Sequence, residues 1–187
     1  KRGLDCTAAL GGLLVTAPLW LAIAAAIKLA SPGPVFFRQW RAGAGGRPFR
    51  MFKFRTMRTD AEHLKKSLMA LNEQDGPAFK IKRDPRVTRL GRFLRATSLD
   101  ELPQLLNVLK GDMSLVGPRP PVPYEAERYK AWHRRRVFEM KPGLTGIWQV
   151  EGRSRVSFDD MVRMDLRYLD HCSLRFDIAI LLRTVVV

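Results

Sequence analysis

The chain has 187 residues, a length that suits one domain with a buried core, with or without a small appendage. Its 33 Lys and Arg residues outnumber 18 Asp and Glu residues, which gives a formal net charge of +15. This excess predicts an anionic partner: nucleic acid, acidic lipid or a phosphorylated substrate. The two cysteines match no zinc spacing, and we expect reduced thiols facing the cytosol. The three histidines are too scattered for a metal cluster, and each is expected at the surface.

Residues 6–27 form a run without any charged side chain. As one helix this run would be roughly 33 Å long, enough to cross a bilayer core of about 30 Å. Pro18 lies near its middle and blocks its own helical hydrogen bond, so we expect a kink or a break there. The two arms, 6–17 and 19–27, would then each cover about half of the bilayer core.

Basic residues lie on both sides of this apolar run, and no acid occurs between Asp5 and Asp60. A helix that crosses the bilayer would place one basic flank on the outer side, against the positive-inside tendency. A re-entrant hairpin keeps both flanks inside, which favours it slightly over a kinked span. A cleaved signal peptide ranks lower, because the run is long for an h-region and Asp5 interrupts the basic start. A fully buried soluble helix is the weakest alternative.

Two short strands are predicted next, at residues 35–41 and 49–54, joined by a glycine-containing loop over 42–48. Arginines interleave with the aromatic residues of both strands. This pattern suits single-stranded nucleic acid, which binds by stacking, and equally a basic aromatic surface at lipid headgroups. The neighbouring apolar run favours the lipid surface.

The stretch 97–120, TSLDELPQLLNVLKGDMSLVGPRP, carries the candidate chemistry, with Asp100 and Glu101 before a short apolar helix. We expect Asp100 to be the N-cap, with Pro103 in the first turn; the alternative is a capping box from Ser98 to Glu101. Either register favours an ionised carboxylate, which suits attack on phosphorus or binding of a divalent metal. Simple helix capping explains the same two acids about equally well.

Arginines stand on both sides of this helix. Arg95 precedes it, and Arg119 follows it between two prolines, each with φ fixed at about −65°. A guanidinium on so restricted a backbone favours a bidentate grip on phosphate. A solvated loop arginine is the alternative, which two prolines alone do not exclude.

Helices account for much of the remaining chain. An amphipathic helix is predicted over 60–71, and a highly charged helix over 124–140 whose basic run is read as a solvated face. Ser157 is predicted to cap a helix that ends at Leu169, and a last apolar helix covers 174–184.

The segment 141–153 is rich in glycine and is predicted to be irregular. It lacks the spacing of a P-loop or a Rossmann motif, so it does not indicate an ATP or NAD site. Its Trp148, Gln149 and Arg153 are able to contact a base or a sugar.

The ordered motifs of the chain resemble those of the bacterial sugar transferases, the monotopic polyprenyl-phosphate phosphoglycosyl transferases. The resemblance covers nearly the whole chain, through KRGLD at Lys1, SPGPVFFRQ at Ser31, FKFRTM at Phe52, the block from Asp84 to Pro120, KPGLTG with WQV and GR from Lys141, and Asp165, Tyr168, Ser173 and Asp177. So long a series in one order is highly specific. One departure is Ala17 before Pro18, where many members have a serine whose hydroxyl could satisfy a freed carbonyl.

The resemblance implies an α+β, mainly helical fold in two parts. Residues 1–30 would form a re-entrant membrane helical hairpin that breaks at Pro18 and does not cross the bilayer. Residues 31–187 would form a catalytic domain with a small β-hairpin and amphipathic helices. This domain would lie on the cytoplasmic face of the bacterial inner membrane.

The resemblance also implies a reaction: transfer of a sugar-1-phosphate from a UDP-sugar to polyprenyl (undecaprenyl) phosphate, with release of UMP, as the first membrane step of glycoconjugate assembly. Mg²⁺ would be the cofactor. Asp100 would be the nucleophile that forms a covalent phosphosugar-enzyme, and Asp100 and Glu101 would hold the metal. Phosphate and substrate contacts are expected from Arg95, Arg119, Lys53, Arg55, Gln149 and Arg153.

The expected partners are therefore the UDP-sugar donor, the polyprenyl phosphate acceptor and membrane lipid, with no nucleic acid. The identity of the sugar and the presence of a homodimer stay open. Two rival interpretations are a membrane-tethered nucleic-acid binder and a non-enzymatic membrane-surface protein. Neither explains the adjacent acids or the Pro-Arg-Pro turn.

Overall fold

A long N-terminal helix begins the fold. The structure, a computed structural model, describes residues 1–73, 77, 79, 81–152 and 156–186. Helix α1 is Arg2–Ala30 and continues through Pro18. Within the described ranges it is the one helix long and apolar enough to cross a membrane, judged by length and composition. The predicted break at Pro18 is not seen, so the re-entrant hairpin is not confirmed. The fixed φ of proline is compatible with a helix, and α1 continues at Pro18 despite the hydrogen bond that proline cannot donate.

Both ends of α1 contact the rest of the chain. Near its start, the Asp5 carboxylate accepts hydrogen bonds from Ser114 Oγ at 2.9 Å and from Leu115 N at 3.0 Å. Near its end, Ile27 is buried in one cluster with Phe54. Its outer face is apolar and open: Leu14 is 68% exposed and Val15 is 81% exposed. One face of the helix therefore packs on the domain, including the fully buried Ala9, and the opposite face is apolar and exposed along the middle of the helix.

The predicted β-hairpin is confirmed. Strand β1, Phe36–Ala42, pairs antiparallel with strand β2, Pro48–Phe54. Alternating side chains of β2 enter the core, as expected for a strand with one buried face. The loop between the strands closes through Gly45 and Gly46, which adopt positive φ angles of 67° and 73° that glycine tolerates best.

Short helices follow the hairpin. They are α2, Ala61–Lys65, continued by a 3₁₀ segment over Lys66–Leu71, then α3, Arg89–Ala96, a 3₁₀ turn over Leu99–Glu101, and α4, Gln104–Lys110. Thr88 caps α3, because its Oγ1 accepts from Gly91 N at 2.9 Å. The amphipathic helix predicted over 60–71 is present, although its second half is 3₁₀.

A small parallel pair of strands supports the turn that carries Arg119. Strand β3, Ser114–Val116, pairs with strand β4, Gly143–Thr145. A Cβ atom on Gly143 would lie 2.0 Å from the backbone nitrogen of Gly117, so the two chains approach each other more closely than any side chain allows. The segment 141–153, predicted as irregular, therefore contains a strand, and it also contains helix α7, Ile147–Glu151.

The single helix predicted over 124–140 is wrong, because two helices occupy that stretch. They are α5, Pro123–Glu127, and α6, Ala131–Phe138. Lys130, between them, has extended backbone angles that no helix accommodates. The last two predicted helices are confirmed as α8, Phe158–Asp170, and α9, Leu174–Val186. Ser157 caps α8 as expected, with its Oγ accepting from Asp160 N at 3.1 Å.

The main core lies between α1, α4, the two strand pairs and the C-terminal helices. Its fully buried apolar side chains pack around β2, β3 and α4. These elements and the turns beside them carry the candidate site. These side chains include Val108, Met113, Val116, Ile147, Tyr168 and Ile180.

Candidate active site

Asp100 and Glu101 lie on the 3₁₀ turn Leu99–Glu101, between α3 and α4. Both predicted helix registers are wrong, because α4 starts only at Gln104 with Pro103 as its N-cap. Ser98 explains the difference: it adopts a left-handed conformation, with φ of 55°, that ends the α3 segment and starts the tight turn. Such a conformation costs a non-glycine residue about 1–2 kcal/mol. The strain lies directly beside the two acids.

Glu101 is held by two cations. Lys53 Nζ lies 2.5 Å from its Oε1, and Arg119 Nη1 lies 3.5 Å from the same atom. Burial alone would raise the pKa of Glu101, but the charges of Lys53 and Arg119 outweigh burial and lower that pKa to about 2. This carboxylate is therefore ionised at every physiological pH.

Asp100 has a different environment from its neighbour. The residue is 6% exposed, and no residue in the described ranges donates a hydrogen bond to its carboxylate. Burial raises the pKa of Asp100 above its ordinary value of 3.8, while the charges of Lys53, Arg95 and Arg119 lower it in part. The result is a largely buried carboxylate without a close donor among the described residues, surrounded at longer range by positive charge.

Lys53 and Arg119 reach the acids from separate elements. Lys53 is on β2, next to Phe52, whose backbone N–H donates to the buried side chain of Asn107 at 3.0 Å. That contact ties β2 to α4. Arg119 is on the turn after β3, and its side chain is 37% exposed, so part of the guanidinium stays available for a ligand. Burial lowers the pKa of Lys53 below 10.5, although Glu101 opposes this shift.

Arg95 lies on α3 and faces the same acids. Its Nε donates to Thr56 Oγ1 at 2.9 Å, and α3 packs tightly here because Gly91 has no side chain: a Cβ would lie 2.0 Å from Thr56 O. Burial lowers the pKa of Arg95, and the Asp100 carboxylate is the strongest influence in the opposite direction. The structure thus brings together Asp100, Glu101, Lys53, Arg95 and Arg119.

The other predicted contact residues are placed elsewhere or lie outside the described ranges. Arg55 donates from Nη1 to Pro32 O at 2.5 Å and from Nη2 to Ser31 O at 2.8 Å, so it holds the turn after α1. Gln149 donates to Leu144 O at 3.2 Å, with its Oε1 buried. Arg153 falls in the part of the chain that the structure does not describe.

Comparison with known proteins decides the family. The family model for bacterial sugar transferases matches residues 1–187. The chain belongs to the bacterial sugar transferase family. It is 47% identical to the galactosyl transferase CpsE of Streptococcus agalactiae over 99% of the chain and 41% of that protein.

Two further relatives differ in length. The chain is 46% identical to the UDP-glucose:undecaprenyl-phosphate glucose-1-phosphate transferase of Caulobacter vibrioides, over 99% of the chain and 68% of that protein. It is 41% identical to the exopolysaccharide production protein ExoY of Rhizobium meliloti, over 99% of the chain and 83% of that protein. The chain thus spans less than half of CpsE but most of ExoY.

The dyad of this sugar transferase family member provides the oxygens that a divalent cation prefers. The described residues contain no cluster of three His, Cys, Asp or Glu side chains that could enclose a metal by themselves. Mg²⁺ is commonly held by one or two carboxylates together with substrate phosphates. Asp100 and Glu101 fit that arrangement. Asp100 accepts no described hydrogen bond, and both cations contact the same oxygen of Glu101, Oε1, so Oε2 takes no part in these two ion pairs.

Sequence reasoning gave no structural role to three charged residues near the Pro-Arg-Pro turn. Arg136 belongs to the basic run read as a solvated face, yet it is 3% exposed. Arg41, which is partly buried, donates to Pro120 O, and the buried Asp165, noted only as part of a motif, pairs with Arg136. His133 was likewise expected at the surface but is buried against Phe158. The charge pattern of one short helix does not reveal which of its arginines meets a distant aspartate, so no local signal separates Arg136 from Arg134 and Arg135.

Proposed function

We propose that the chain is a phosphoglycosyl transferase that moves a sugar-1-phosphate from a UDP-sugar to polyprenyl (undecaprenyl) phosphate. The observation that carries the proposal is the contrast within the dyad: Glu101 is locked by two cations, whereas Asp100 is buried without a described donor. A structural carboxylate is paired or hydrogen-bonded, and an unpaired one in a cationic recess suits attack on a phosphate.

In the first step, an oxygen of Asp100 attacks the phosphorus that bears the sugar. The bond from that phosphorus to the bridging oxygen breaks, and UMP leaves with the electron pair. The product is a phosphosugar carried on the Asp100 carboxylate. Low solvation leaves this carboxylate reactive, and the charges of the surrounding cations favour its ionised form.

In the second step, a phosphate oxygen of the polyprenyl acceptor attacks the same phosphorus. Asp100 leaves as a carboxylate, and the product is a polyprenyl diphosphate sugar. Both substrates are anionic, so the cations of the site must offset their repulsion from the nucleophile. Arg119 and Arg95 would bind phosphate oxygens, and Lys53 would keep Glu101 in place and ionised.

Mg²⁺ held by Asp100, Glu101 and the donor diphosphate would supply charge neutralisation at the phosphates. Lys53 on β2 orients the Glu101 carboxylate, so the protein itself determines where the cation would be held. The sugar is expected to be glucose or galactose, since the relatives from Caulobacter vibrioides and Streptococcus agalactiae are named for these two sugars.

We also propose that α1 enters the membrane without crossing it, with the catalytic part on the cytoplasmic face. Two observations support this arrangement. The two ends of α1 contact one body, through Asp5 at the start and Ile27 at the end. The apolar residues between them, such as Val15, are exposed and suit lipid. The basic flanks on both sides of α1 would then stay on the cytoplasmic side.

A screen for UMP release tests the reaction. Purified protein in lipid nanodiscs is mixed with polyprenyl phosphate, Mg²⁺ and each member of a UDP-sugar panel that includes UDP-glucose and UDP-galactose. We expect UMP release with at least one of them and none with the Asp100→Asn variant. An unaltered rate in Asp100→Asn would remove the proposed nucleophile.

Cysteine labelling tests the membrane arrangement. Gly3→Cys and Ser31→Cys are made singly in a background that lacks Cys6 and Cys172; a side chain at position 3 meets no neighbouring atom. A membrane-impermeant maleimide should modify both positions from the cytoplasmic face. Modification of one position from each face would show that α1 crosses the bilayer.

A further inference from the structure

The Pro-Arg-Pro turn cannot hold its own shape through backbone hydrogen bonds. Pro118, Pro120 and Pro121 have no N–H group, so three of the donors that normally close a turn are missing. Arg119 stands within this run, and its guanidinium must nevertheless reach Glu101. The direction of the Arg119 side chain therefore depends on what holds the backbone on either side.

Four consecutive carbonyl oxygens of the turn accept hydrogen bonds from other elements. The donors are Gly143 N to Pro118 O at 2.9 Å, Arg136 Nη2 to Arg119 O at 2.8 Å, Arg41 Nη1 to Pro120 O at 2.9 Å, and Ala42 N to Pro121 O at 2.9 Å. Two of these donors are guanidinium groups rather than backbone. The one from Arg136 holds the carbonyl of Arg119 itself.

Arg136 is fixed from its other side by Asp165. Its Nη2 lies 2.8 Å from Asp165 Oδ2, and the two side chains are 2% and 1% exposed. The same nitrogen therefore contacts the carboxylate on α8 and the Arg119 carbonyl. Within the described part of the chain, Nε and Nη1 of Arg136 and Oδ2 of Asp165 have no hydrogen-bond partner, so the two side chains meet as an ion pair and not through a hydrogen bond. A buried ion pair with unused donors adds little stability over an apolar pair, so its use here points to geometry.

We propose that Arg136, held by Asp165, is a positioning residue that fixes the Pro-Arg-Pro turn so that Arg119 faces the dyad. The inference rests on the proposed function, because it takes Arg119 as a phosphate ligand. Arg136 touches neither acid of the dyad, so it acts through the Arg119 backbone. Arg41 contributes in the same way at the next carbonyl.

A guanidinium suits this position better than an ammonium does. Arg136 reaches the carboxylate and the carbonyl with one nitrogen, Nη2, which the planar guanidinium holds in a fixed direction, whereas a lysine ammonium is compact and lies on a flexible stem. Arg136→Lys would keep the charge but lose the fixed geometry. Displacement of a binding group by about 1 Å is sufficient to lower catalysis by about 100-fold.

A double-mutant cycle with Arg119 tests the proposal. The donor kcat/KM is measured in nanodiscs for the unmodified protein, Arg136→Lys, Arg119→Ala and the double variant. We expect Arg136→Lys to lower kcat/KM by about 10- to 100-fold. In the Arg119→Ala background the same change should lower it by less than about twofold, because there is no side chain left to position. Equal losses in the two backgrounds would overturn the proposal, since a general structural role is additive.

Asp165→Asn provides a second variant if Arg136→Lys does not fold, because it keeps the side-chain volume and removes the charge that holds Arg136. It should show the same loss and the same dependence on Arg119. Thermal unfolding of each variant confirms that the compared proteins are folded. If Asp165→Asn lowers kcat/KM as much in the Arg119→Ala background as in the otherwise unmodified protein, the proposal is also overturned.

Asp159→Asn is the matched control, because Asp159 joins the same two helices through His133 Nε2 at 3.0 Å but has no described contact with the turn. Its kcat/KM should stay within about twofold in both backgrounds. A loss equal to that of Asp165→Asn would show that any weakening of the α6–α8 contact matters, which contradicts the proposal. If the unmodified protein releases no UMP from any UDP-sugar, the proposed function fails and this inference fails with it.

Discussion

Lys53 Nζ lies 2.5 Å from Glu101 Oε1, and this contact separates the properties of two carboxylates that are adjacent in the chain. Glu101 has its pKa lowered to about 2, while burial raises the pKa of Asp100 above 3.8. Neighbouring acids with opposite shifts are typical of sites that assign them different roles. Here the paired acid is suited to orient ligands, and the unpaired acid is suited to react.

The acid limb of the pH–rate profile should belong to Asp100. Its ionised form is the nucleophile, so activity should fall as the pH falls through a pKa that lies above 3.8, while Glu101 stays ionised down to about pH 2. Lys53→Met removes a charge that lowers the pKa of Asp100. The acid limb should therefore move to higher pH in that variant, together with a loss of rate.

The control for this prediction is Lys66→Met, which removes an exposed lysine outside the site. Its acid limb should coincide with that of the unmodified protein. An acid limb in Lys53→Met that moves to lower pH would contradict the assignment to Asp100.

Arg119→Lys should reduce turnover about tenfold or more, although the formal charge is unchanged. The lysine cannot hold a phosphate with two parallel hydrogen bonds, and its ammonium would compete directly for Glu101. Steady-state UMP release with varied UDP-sugar measures the effect. Arg128→Lys, at an exposed position, serves as the control and should leave the rate unchanged. Equal rates for the two variants would mean that Arg119 does not bind phosphate.

Asn107 should be important for stability rather than for chemistry. It is fully buried, donates from Nδ2 to Arg50 O at 2.7 Å and accepts from Phe52 N at 3.0 Å. Asn107→Ala leaves both backbone groups without a partner, which should lower the free energy of unfolding by about 2–4 kcal/mol. Chemical denaturation measures the change. Ser67→Ala, at an exposed position, should cost less than about 0.5 kcal/mol. A change below 1 kcal/mol for Asn107→Ala would contradict the role given to this side chain.

Removal of divalent metal should abolish UMP release. EDTA should stop the reaction, and added Mg²⁺ should restore it, because a two-carboxylate site needs the cation to bring a diphosphate close. Glu101→Gln should raise the Mg²⁺ concentration required for half-maximal rate about tenfold or more, since one of two anionic ligands is lost. Full activity in EDTA would show that the lysine and arginine residues suffice for charge neutralisation.

Local sequence signals predicted a large part of the fold. The two short strands joined by a glycine-containing loop and the serine cap of α8 depend on neighbours a few residues apart, and both predictions are confirmed. The break within the charged stretch 124–140 was not predicted, because the composition of this stretch suits a helix throughout. Helix α5 packs against β1 and α6 against α8, and the chain changes direction between them at the extended Lys130, which no local pattern contains.

The residues of the candidate site that lie in sequence motifs were predictable. The contacts between residues that are distant in the chain were not. Asp100, Glu101, Arg95 and Arg119 come from one stretch of chain, and the structure brings them together with Lys53. Arg55, like Lys53, belongs to the FKFRTM motif of the resemblance and was expected to contact the substrate, but its guanidinium holds the turn after α1. Ser98 was read only as a cap, and its left-handed conformation has no sequence signal of its own.

The mass of the intact protein after mixing with donor alone tests the central claim most directly. With UDP-glucose or UDP-galactose and Mg²⁺ but no polyprenyl acceptor, a rapidly quenched sample should gain the mass of one hexose phosphate. Peptide mapping should place that mass on Asp100, and Asp100→Asn should show none. An unmodified mass in a preparation that forms product as soon as acceptor is added would contradict the account, because transfer would then occur directly from donor to acceptor.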